Sequence, residues 1–483
     1  MQLSKRRLGL LLGPLLFVLI RMLYHPEGLN DSANAVMASA LWIAIWWITE
    51  ALPIAVTALL PIILFPLSGG LTISETTANY GHKYIFLFIG GFILALAIEK
   101  WNLHKRIALN IIKIIGTKMS HIVLGFMMAT AFLSMWISNT ATAVMILPLG
   151  IAIVAQLQDN PDTIENENLM FGKALMLAIA YSASIGGLAT LIGTPPNLVL
   201  AGVIKNTYHT EISFSQWFIF GFPLSILLLS CCWLYLTRIA FKLKQHKFPG
   251  GKQEIQRQLK LLGNITYEEK IILIVFILTA LAWMFRSVLI NRFFAQVDDT
   301  IIAIISGITL FLIPSKSSKT QLLEWTDTVK LPWGILLLFG GGMALAQGFE
   351  SSGLAIWIGL QMTSLQSVHL MVLLLILITL VNFLTEITSN LATTAMLLPV
   401  LVSLAATIGI HPYVLLVGAT LAASCAFMLP VATPPNAVVF GSGYLKIEDM
   451  VKRGIWMNLI SIFLVAGFVY FVLPLLWDLS VTK

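Results

Sequence analysis

The sequence predicts an all-α polytopic membrane protein built from two related halves. Of its 483 residues, 58% are hydrophobic and only 11% are charged, and the mean hydropathy is +0.90. A soluble domain has about 25% charged residues, so a chain this apolar would lack a soluble surface. Apolar stretches of about 20 residues, the length that crosses a bilayer, recur along the whole chain.

Eleven hydrophobic spans follow from this pattern. The first comes after Lys5-Arg6-Arg7 and resembles a signal peptide, but no small-residue cleavage pattern follows it, so we interpret it as a helix. Two further apolar segments, 121–157 and 367–408, contain polar clusters and are treated separately. The eleven spans are 8–24, 35–49, 53–67, 84–98, 174–203, 214–240, 269–290, 299–313, 332–348, 411–441 and 454–477.

Basic residues are concentrated in alternate loops. The loops after even-numbered spans, such as 100–118 and 241–268, carry most of the lysines and arginines, whereas the loops after odd-numbered spans are poor in them. The positive-inside rule therefore predicts a cell-membrane protein with a cytoplasmic N-terminus and a C-terminus outside. The basic connector 241–268 is expected to face anionic membrane lipid.

A polar cluster occurs once in each half at a constant offset. The first cluster is Ser138-Asn139-Thr140 and the second is Ser389-Asn390-Leu391, so the offset is 389 − 138 = 251. The pairs Gly90-Gly91 and Gly341-Gly342 keep the same offset. The chain is therefore predicted to be an internal repeat with one polar centre in each half.

The two halves are predicted to have opposite orientations in the membrane. Residues 100–118 are basic, whereas the equivalent residues 351–369 contain no Lys or Arg. Five spans in each half, an odd number, would invert the second copy, and inverted repeats are typical of secondary transporters. The predicted organisation is an N-terminal helix (1–34), a first repeat (35–240), a cytoplasmic connector (241–268) and a second repeat (269–483).

Each polar cluster lies at the centre of an apolar segment that is either a re-entrant hairpin or two full spans. Each arm of 121–157 has about 17 residues, the lower limit for crossing. Two full spans would place the cluster in a loop at the membrane surface. A hairpin would bury it near the midplane, with the helix resuming at about Ala141 behind a Ser, Asn or Thr cap. We expect hairpins at 121–157 and 367–408.

A second pair of motifs predicts a broken helix in each half. Gly193-Thr194-Pro195-Pro196-Asn197 lies within 174–203, and Ala432-Thr433-Pro434-Pro435-Asn436 lies within 411–441. Two prolines remove two amide donors and break the helix, which places the threonine as a cap for the next segment. Kinked but continuous helices are the alternative. Discontinuous helices at corresponding positions of two halves point to a transporter binding site.

The predicted site has the character of an anion site without basic side chains. Four helix N-termini would present unpaired amides and positive dipole ends, and no Lys or Arg lies in either cluster or motif. Burying a divalent anion on neutral donors alone would cost many kcal/mol, so cations are expected to enter with it. Backbone carbonyls and hydroxyls at broken helices suit Na+. The nearby Glu386 either takes part in cation binding or forms hydrogen bonds within the hairpin.

Both Ser-Asn clusters, both Thr-Pro-Pro-Asn motifs and Ile48-Thr49-Glu50-Ala51-Leu52-Pro53 together resemble the divalent anion/sodium symporter (DASS) family over nearly the whole chain. The resemblance implies a homodimer in which each protomer has a scaffold and a transport domain that moves as an elevator. It also implies uptake of C4-dicarboxylates (succinate, malate, fumarate), citrate or sulfate with Na+. The expected partners are a small dicarboxylate, Na+, membrane lipid and a second copy of the chain, with no nucleic acid.

The resemblance further implies roles for individual residues. The first Na+ site would use Ser134, Ser138, Asn139 and Gly193, and the second would use Thr385, Thr388, Asn390 and Ala432. The substrate carboxylates would meet Ser138, Asn139, Thr140, Thr194, Ser389, Asn390, Thr433 and Pro434. In the second cluster Leu391 stands where the first has a hydroxyl residue, which leaves the identity of the anion open.

The leading hypothesis is therefore a Na+-coupled C4-dicarboxylate symporter rather than an enzyme. The alternative is a dicarboxylate or anion exchanger, or a citrate or sulfate carrier, of the same fold; the oxygen-rich Na+ positions favour symport. An intramembrane enzyme would need a His-Glu-x-x-His motif, a Ser/His dyad or paired aspartates at membrane depth, and the sequence has none. A passive channel would need a continuous polar lining, whereas the polar residues here form two centres.

Overall fold

A computed structural model describes residues 2–116, 118–156, 167–243, 249–318 and 320–479. Within these ranges the chain forms helices and no β-strand; Pro314 and Gln321 form an isolated antiparallel bridge. The all-α prediction is confirmed. Residue 157 of the first predicted hairpin and residues 244–248 of the predicted connector lie outside the described residues.

The helices before the first polar cluster include one predicted span that is divided in two. The span predicted at 53–67 forms α3 and α4, because Pro61 in the first turn of α4 has no amide to continue the preceding helix. A short 3-10 turn, Asn79–Gly81, precedes α6. The helices are α1 (Gln2–Leu23), α2 (Asp31–Thr49), α3 (Ile54–Thr57), α4 (Leu60–Ser68), α5 (Ile73–Ala78) and α6 (Lys83–Lys100).

The basic segment 100–118 contains an amphipathic helix, α7 (Leu103–Ile115), where the sequence indicated only a loop. Its apolar residues, such as Leu109 and Ile112, are buried, and it packs against the helix that follows. Lys105 and Lys113 are exposed on the opposite face. A charged outer face and an apolar stripe packed against the core are typical of an amphipathic surface helix.

The first polar cluster and the first Thr-Pro-Pro-Asn motif each separate two helices. These helices are α8 (Met119–Ser134) and α9 (Asn139–Val154), then α10 (Glu167–Gly187) and α11 (Pro195–Tyr208). Next comes α12 (Phe214–Leu234), which continues as a π-helical segment Tyr235–Ala240. The predicted connector 241–268 contains a helix of its own, α13 (Pro249–Leu262).

The second half repeats this order of elements. The 3-10 turns Trp325–Lys330 and Thr363–Ser367 and the π-helical Arg286–Ile290 connect its helices. The helices are α14 (Tyr267–Phe285), α15 (Asp299–Leu312), α16 (Trp333–Ser351), α17 (Leu354–Gln361), α18 (Leu370–Thr385), α19 (Asn390–Ile408), α20 (Pro412–Ala423), α21 (Pro434–Phe440), α22 (Ile447–Phe471) and α23 (Leu473–Leu476).

Helix lengths bear on which segments cross the bilayer. Three arms of the predicted hairpins, α8, α9 and α18, have 16 residues each, about 24 Å at 1.5 Å per residue and therefore shorter than a bilayer core. The fourth arm, α19, has 19 residues and is long enough to cross. Among the described residues, seven helical segments are long and apolar enough to cross a membrane. These segments are 31–49, 73–100, 168–187, 214–240, 267–290, 390–408 and 447–471.

The packing of the two halves is reciprocal. The return arm α9 of the first half packs against α21 of the second, and the return arm α19 packs against α11. The helix α10 likewise contacts α21, as α20 contacts α11. The centre of this arrangement is α10, whose residues from Ala174 to Ser184 are all buried. The elements that carry the two polar clusters therefore form one interlocked core.

Candidate functional site

The hairpin turns place a polar residue at the start of each return arm. Ser138 caps α9, and its Oγ accepts a hydrogen bond from Ala141 N at 3.3 Å. The helix therefore begins at Asn139, two residues before the position predicted from the sequence. Ser389 occupies the equivalent position before α19, and its side chain makes no capping hydrogen bond.

The first polar cluster brings the Asn139 carboxamide together with three other oxygen atoms. Ser134 Oγ lies 2.5 Å from Asn139 Oδ1 and 2.7 Å from the carbonyl oxygen of Ala183. The same Asn139 atom lies 3.2 Å from the carbonyl oxygens of both Ala183 and Gly193. Facing oxygens repel one another unless a donor or a cation lies among them. Either the Asn139 amide turns to donate to them, or a hard cation binds there, and this oxygen set fits Na+.

The second polar cluster repeats this arrangement with a threonine in place of the serine. The Thr385 hydroxyl lies 2.7 Å from Asn390 Oδ1 and 2.9 Å from the carbonyl oxygen of Ala423. Thr385 follows Ser134 by 251 residues and Asn390 follows Asn139 by the same number. Thr385 is fully buried. Each half therefore holds a hydroxyl, a carboxamide and a backbone carbonyl within hydrogen-bond distance.

The structure does not bring every predicted residue into these oxygen clusters. Thr388 donates its hydroxyl to Leu384 O at 2.9 Å and pairs with the Thr393 hydroxyl at 2.6 Å, so it is engaged within the second hairpin. Thr140 is exposed beside the first cluster. Ala432 lies in the second break, where its amide donates to Leu429 O at 3.2 Å.

The two Thr-Pro-Pro-Asn motifs break their helices, so the continuous-helix alternative is wrong. The first helix ends at Gly187 and resumes at Pro195, and the second ends at Ala423 and resumes at Pro434. Thr433 caps its segment as predicted, with Oγ1 accepting from Asn436 N at 3.3 Å. Thr194 occupies the same position without a side-chain capping bond.

The prolines reduce the number of helix N-termini that can offer amides to an anion. Positions 195 and 196 of α11 have no N–H, and the next amide, on Asn197, already donates to Thr194 O. In α21 the Asn436 and Ala437 amides both donate to Thr433. The expectation of four amide-donating N-termini is therefore wrong. The return arms are better donors, since the first-turn amides of a helix have no intrahelical partner and the first turns of α9 and α19 contain no proline.

Glu386 is a structural anchor of the second break. Its buried carboxylate accepts hydrogen bonds from the amides of Phe427 (2.8 Å), Met428 (3.0 Å) and Leu429 (3.0 Å). Asn458 of α22 donates a fourth from Nδ2 at 2.7 Å. These donors come from outside the hairpin, so of the two alternatives for Glu386 the one with hydrogen bonds within the hairpin is wrong. The carboxylate replaces the helical carbonyls that the break leaves out.

The breaks of the two halves adjoin one another. Tyr181, two residues before the Ala183 carbonyl of the first cluster, donates its hydroxyl to Phe427 O at 2.9 Å. The two rings also meet edge to face, with centroids 4.9 Å apart. Since Phe427 is held in turn by Glu386, the first oxygen cluster and the second break form one connected polar region.

Comparison with known proteins identifies the family. The family model described as the sodium:sulfate symporter transmembrane region matches residues 4–477. The chain belongs to this family. Its members are membrane transporters that use Na+ as the coupling ion, so this symporter-family protein is a multi-pass transporter and not an enzyme.

Similar proteins cover nearly the whole symporter-family chain. One relative, the sodium-dependent dicarboxylate transporter SdcS of Staphylococcus saprophyticus, is 48% identical over 98% of this chain and 93% of its own. SdcS of Staphylococcus aureus (strain USA300) is 46% identical over 99% of this chain and 93% of its own. Full-length identity at this level extends the family assignment across every helix described above.

Two solved transporter structures share the fold. The Alcanivorax borkumensis YdaH transporter superposes with a TM-score of 0.58 over 99% of this chain and 98% of that one. MtrF of Neisseria gonorrhoeae gives a TM-score of 0.59 over 97% of this chain and 95% of that one. Both are 12% identical in sequence, so the likeness concerns the fold alone.

Several residues of this symporter-family site were not found by sequence reasoning. The carbonyl oxygens of Ala183 and Ala423 carry no sequence signal, because any residue type supplies one. Asn458 is a lone polar residue in an apolar helix, a weak signal that could have indicated a buried partner. Asn197 and Asn436 recur in the repeated motif, which was a signal for a shared role.

Proposed function

We propose that this protein imports C4-dicarboxylates, among them succinate, malate and fumarate, together with Na+ by symport. The observation that carries the proposal is the pair of matching oxygen clusters, one in each half. The substrate class is supported by the two relatives named sodium-dependent dicarboxylate transporter, which are 46% and 48% identical over nearly their whole lengths.

Each oxygen cluster is proposed to bind one Na+. The first cation would take Ser134, Ser138, Asn139 and Gly193, with the Ala183 carbonyl as a further ligand. The second would take Thr385, Thr388, Asn390 and Ala432, with the Ala423 carbonyl in addition. Within the second set, Thr388 contributes less, because its hydroxyl is engaged with Leu384 O and Thr393. Neutral oxygens suit Na+, which keeps a full positive charge at each site.

The dicarboxylate is proposed to bind beside these cations. Its carboxylates would meet Ser138, Asn139, Thr140, Thr194, Ser389, Asn390, Thr433 and Pro434. The first-turn amides of α9 and α19 are the strongest donors among them, since the Pro-Pro pairs remove amides from α11 and α21. Leu391 still provides an amide although it lacks the hydroxyl of Thr140.

Coupling follows from the charge balance of the site. Glu386 is the sole Asp, Glu, Lys or Arg between Leu370 and Leu445, and residues 122–158 contain none of these four residue types. A dicarboxylate buried there without cations would lose its hydration without gaining a counter-charge. Bound Na+ provides that counter-charge, so each ligand raises the affinity for the other.

The proposed architecture is a homodimer of elevator-type protomers with inverted repeats. The hairpins and broken helices would form the moving domain, and helices such as α6, α15 and α16 would form the scaffold. The N-terminus would lie in the cytoplasm and the C-terminus outside. The reciprocal packing of α9 on α21 and of α19 on α11 supports the repeat relationship.

Succinate uptake into proteoliposomes tests the function. The purified protein should accumulate labelled succinate when an inward Na+ gradient is present and should not when K+ replaces Na+. Unlabelled malate and fumarate should compete with succinate, whereas citrate and sulfate at equal concentration should compete less. Uptake that ignores Na+ but requires internal dicarboxylate would replace symport with exchange of the same substrates.

A further inference from the structure

The asparagine that ends each Thr-Pro-Pro-Asn motif makes the same two hydrogen bonds in both halves. Asn197 Nδ2 donates to Gly187 O at 3.2 Å and to Thr190 O at 2.8 Å. Asn436 Nδ2 donates to Ala426 O at 3.3 Å and to Leu429 O at 3.0 Å. The offsets 426 − 187, 429 − 190 and 436 − 197 all equal 239. Both side chains are fully buried.

These bonds satisfy carbonyl oxygens that the helix break leaves without helical partners. A buried backbone carbonyl without a partner is costly, so the two N–H groups of one carboxamide stabilise each break from the helical segment that follows it. The carboxamide thereby fixes the path of the non-helical backbone between the two helical segments.

The same contacts lead directly to the proposed cation ligands. Thr190 O, which Asn197 holds, also accepts the amide of Gly193 at 3.4 Å; Leu429 O, which Asn436 holds, accepts the amide of Ala432 at 3.2 Å. Gly187 lies against the first oxygen cluster, since a Cβ added there would be 2.7 Å from Asn139 Oδ1 and 3.1 Å from Gly193 O.

We propose that Asn197 and Asn436 are positioning residues for the two cation sites, acting through the carbonyls of Thr190 and Leu429. This proposal rests on the proposed function, because the cations are those of the symport cycle. Each asparagine sets the shape of its break and so places the carbonyl of Gly193 or Ala432 toward the cation. Neither asparagine needs to touch Na+.

A competing role is direct ligation of Na+ by the side-chain oxygen. Asn197 Oδ1 and Asn436 Oδ1 are both buried and have no hydrogen-bond partner among the described residues. Replacement by aspartate separates the two roles, because aspartate keeps an oxygen at this position and loses both N–H donors. A ligand role survives this change, whereas a positioning role does not.

The two breaks differ in how many other anchors they have. The second break is also held by Glu386, which accepts the amides of residues 427–429. The first break has no carboxylate of this kind among the described residues. Two separate hydrogen bonds hold it instead, from the Thr190 hydroxyl to Met135 O and from Trp217 Nε1 to Leu188 O at 3.0 Å. The loss of Asn197 should therefore affect transport more than the loss of Asn436.

The experiment measures how succinate uptake into proteoliposomes depends on the Na+ concentration, for N197A, N197D, N436A and N436D. Asn110→Ala, at an exposed position on α7, serves as the control. The Asn197 variants are expected to need about tenfold more Na+ for half-maximal uptake, and the Asn436 variants less than that, because a lost buried hydrogen bond changes an equilibrium by this order. At saturating Na+, the succinate concentration for half-maximal uptake should return close to that of the unchanged protein.

The outcomes are separable. If the unchanged protein shows no Na+-dependent uptake, the proposed function fails whatever the variants do. If it does, unchanged Na+ dependence in N197A overturns the positioning role, and N197D with an unchanged or lower Na+ requirement makes Asn197 a ligand instead. General damage would lower uptake at every Na+ concentration, which also contradicts the proposal. If an Asn197 variant does not fold, judged by thermal unfolding in detergent, the Asn436 pair decides by the same criteria.

Discussion

Thr385 holds Asn390 in the second half as Ser134 holds Asn139 in the first, with the hydroxyl within 2.7 Å of the carboxamide in both cases. Each hydroxyl also reaches a backbone carbonyl of the neighbouring broken helix, at Ala423 and Ala183. Each hairpin is thereby joined to the broken helix of its own half at the proposed cation ligands. Binding of Na+ at either place would tighten this junction.

Removal of the first carboxamide should weaken Na+ binding. Asn139→Ala deletes the carboxamide around which the carbonyls of Ala183 and Gly193 are arranged. We expect the Na+ concentration for half-maximal succinate uptake to rise about tenfold or more, since interactions with a charged group contribute about 1.5–3 kcal/mol. Labelled uptake over a Na+ series measures it, with Asn110→Ala as the control. Unchanged Na+ activation would remove Asn139 from the site.

The two threonines of the second hairpin should behave differently. Thr385→Val keeps the side-chain shape and deletes the hydroxyl of the oxygen cluster, so it should raise the Na+ requirement several-fold, and Thr385→Ser should restore it. Thr388→Val should change the Na+ requirement less, because the Thr388 hydroxyl bonds to Leu384 O and Thr393. A larger effect at Thr388 would show that its hydroxyl turns toward the cation during transport.

The main expected effect of a substitution at Glu386 is a loss of protein stability. Glu386→Gln puts an N–H2 group where backbone amides and Asn458 donate, which leaves buried donors facing one another. We expect a loss of about 1–3 kcal/mol for each donor left unsatisfied. Thermal unfolding in detergent measures it, and Glu350→Gln, at an exposed position on α16, is the matched control. A variant as stable as the control would contradict the anchoring role.

Helices α16 and α19 approach closely at Gly342, so a larger side chain at this position should hinder movement of the second hairpin. A Cβ at Gly342 would lie 2.8 Å from Ala395 Cβ, whereas a Cβ at the equivalent Gly91 would lie 3.5 Å from Ile192, an ordinary contact. Gly342→Ala should therefore lower the maximal uptake rate several-fold, and Gly91→Ala should have little effect.

The double variant Gly342→Ala/Ala395→Gly tests the cause of this effect. It exchanges the two side chains across the contact and restores the space, so uptake should recover toward that of the unchanged protein. Failure to recover would mean that Gly342 is needed for a reason other than its distance from Ala395.

Much of the secondary structure could be predicted because its signals are local. Proline pairs, polar caps and apolar runs act within a few residues, and the broken helices resume at Pro195 and Pro434, where the motifs indicated. The amphipathic α7 was missed, because its basic residues suggested a loop while its apolar stripe needed a packing partner to become apparent.

The sequence by itself determined the membrane class, the repeat and the residues at which each half departs from regular helix, because composition and spacing are properties of short segments. The tertiary structure decided which oxygens meet. The carbonyls of Ala183 and Ala423 and the amides that Glu386 binds are backbone groups, and Glu386 finds them 41 to 43 residues away along the chain. No residue type marks such a group, so its role depends on where folding places it.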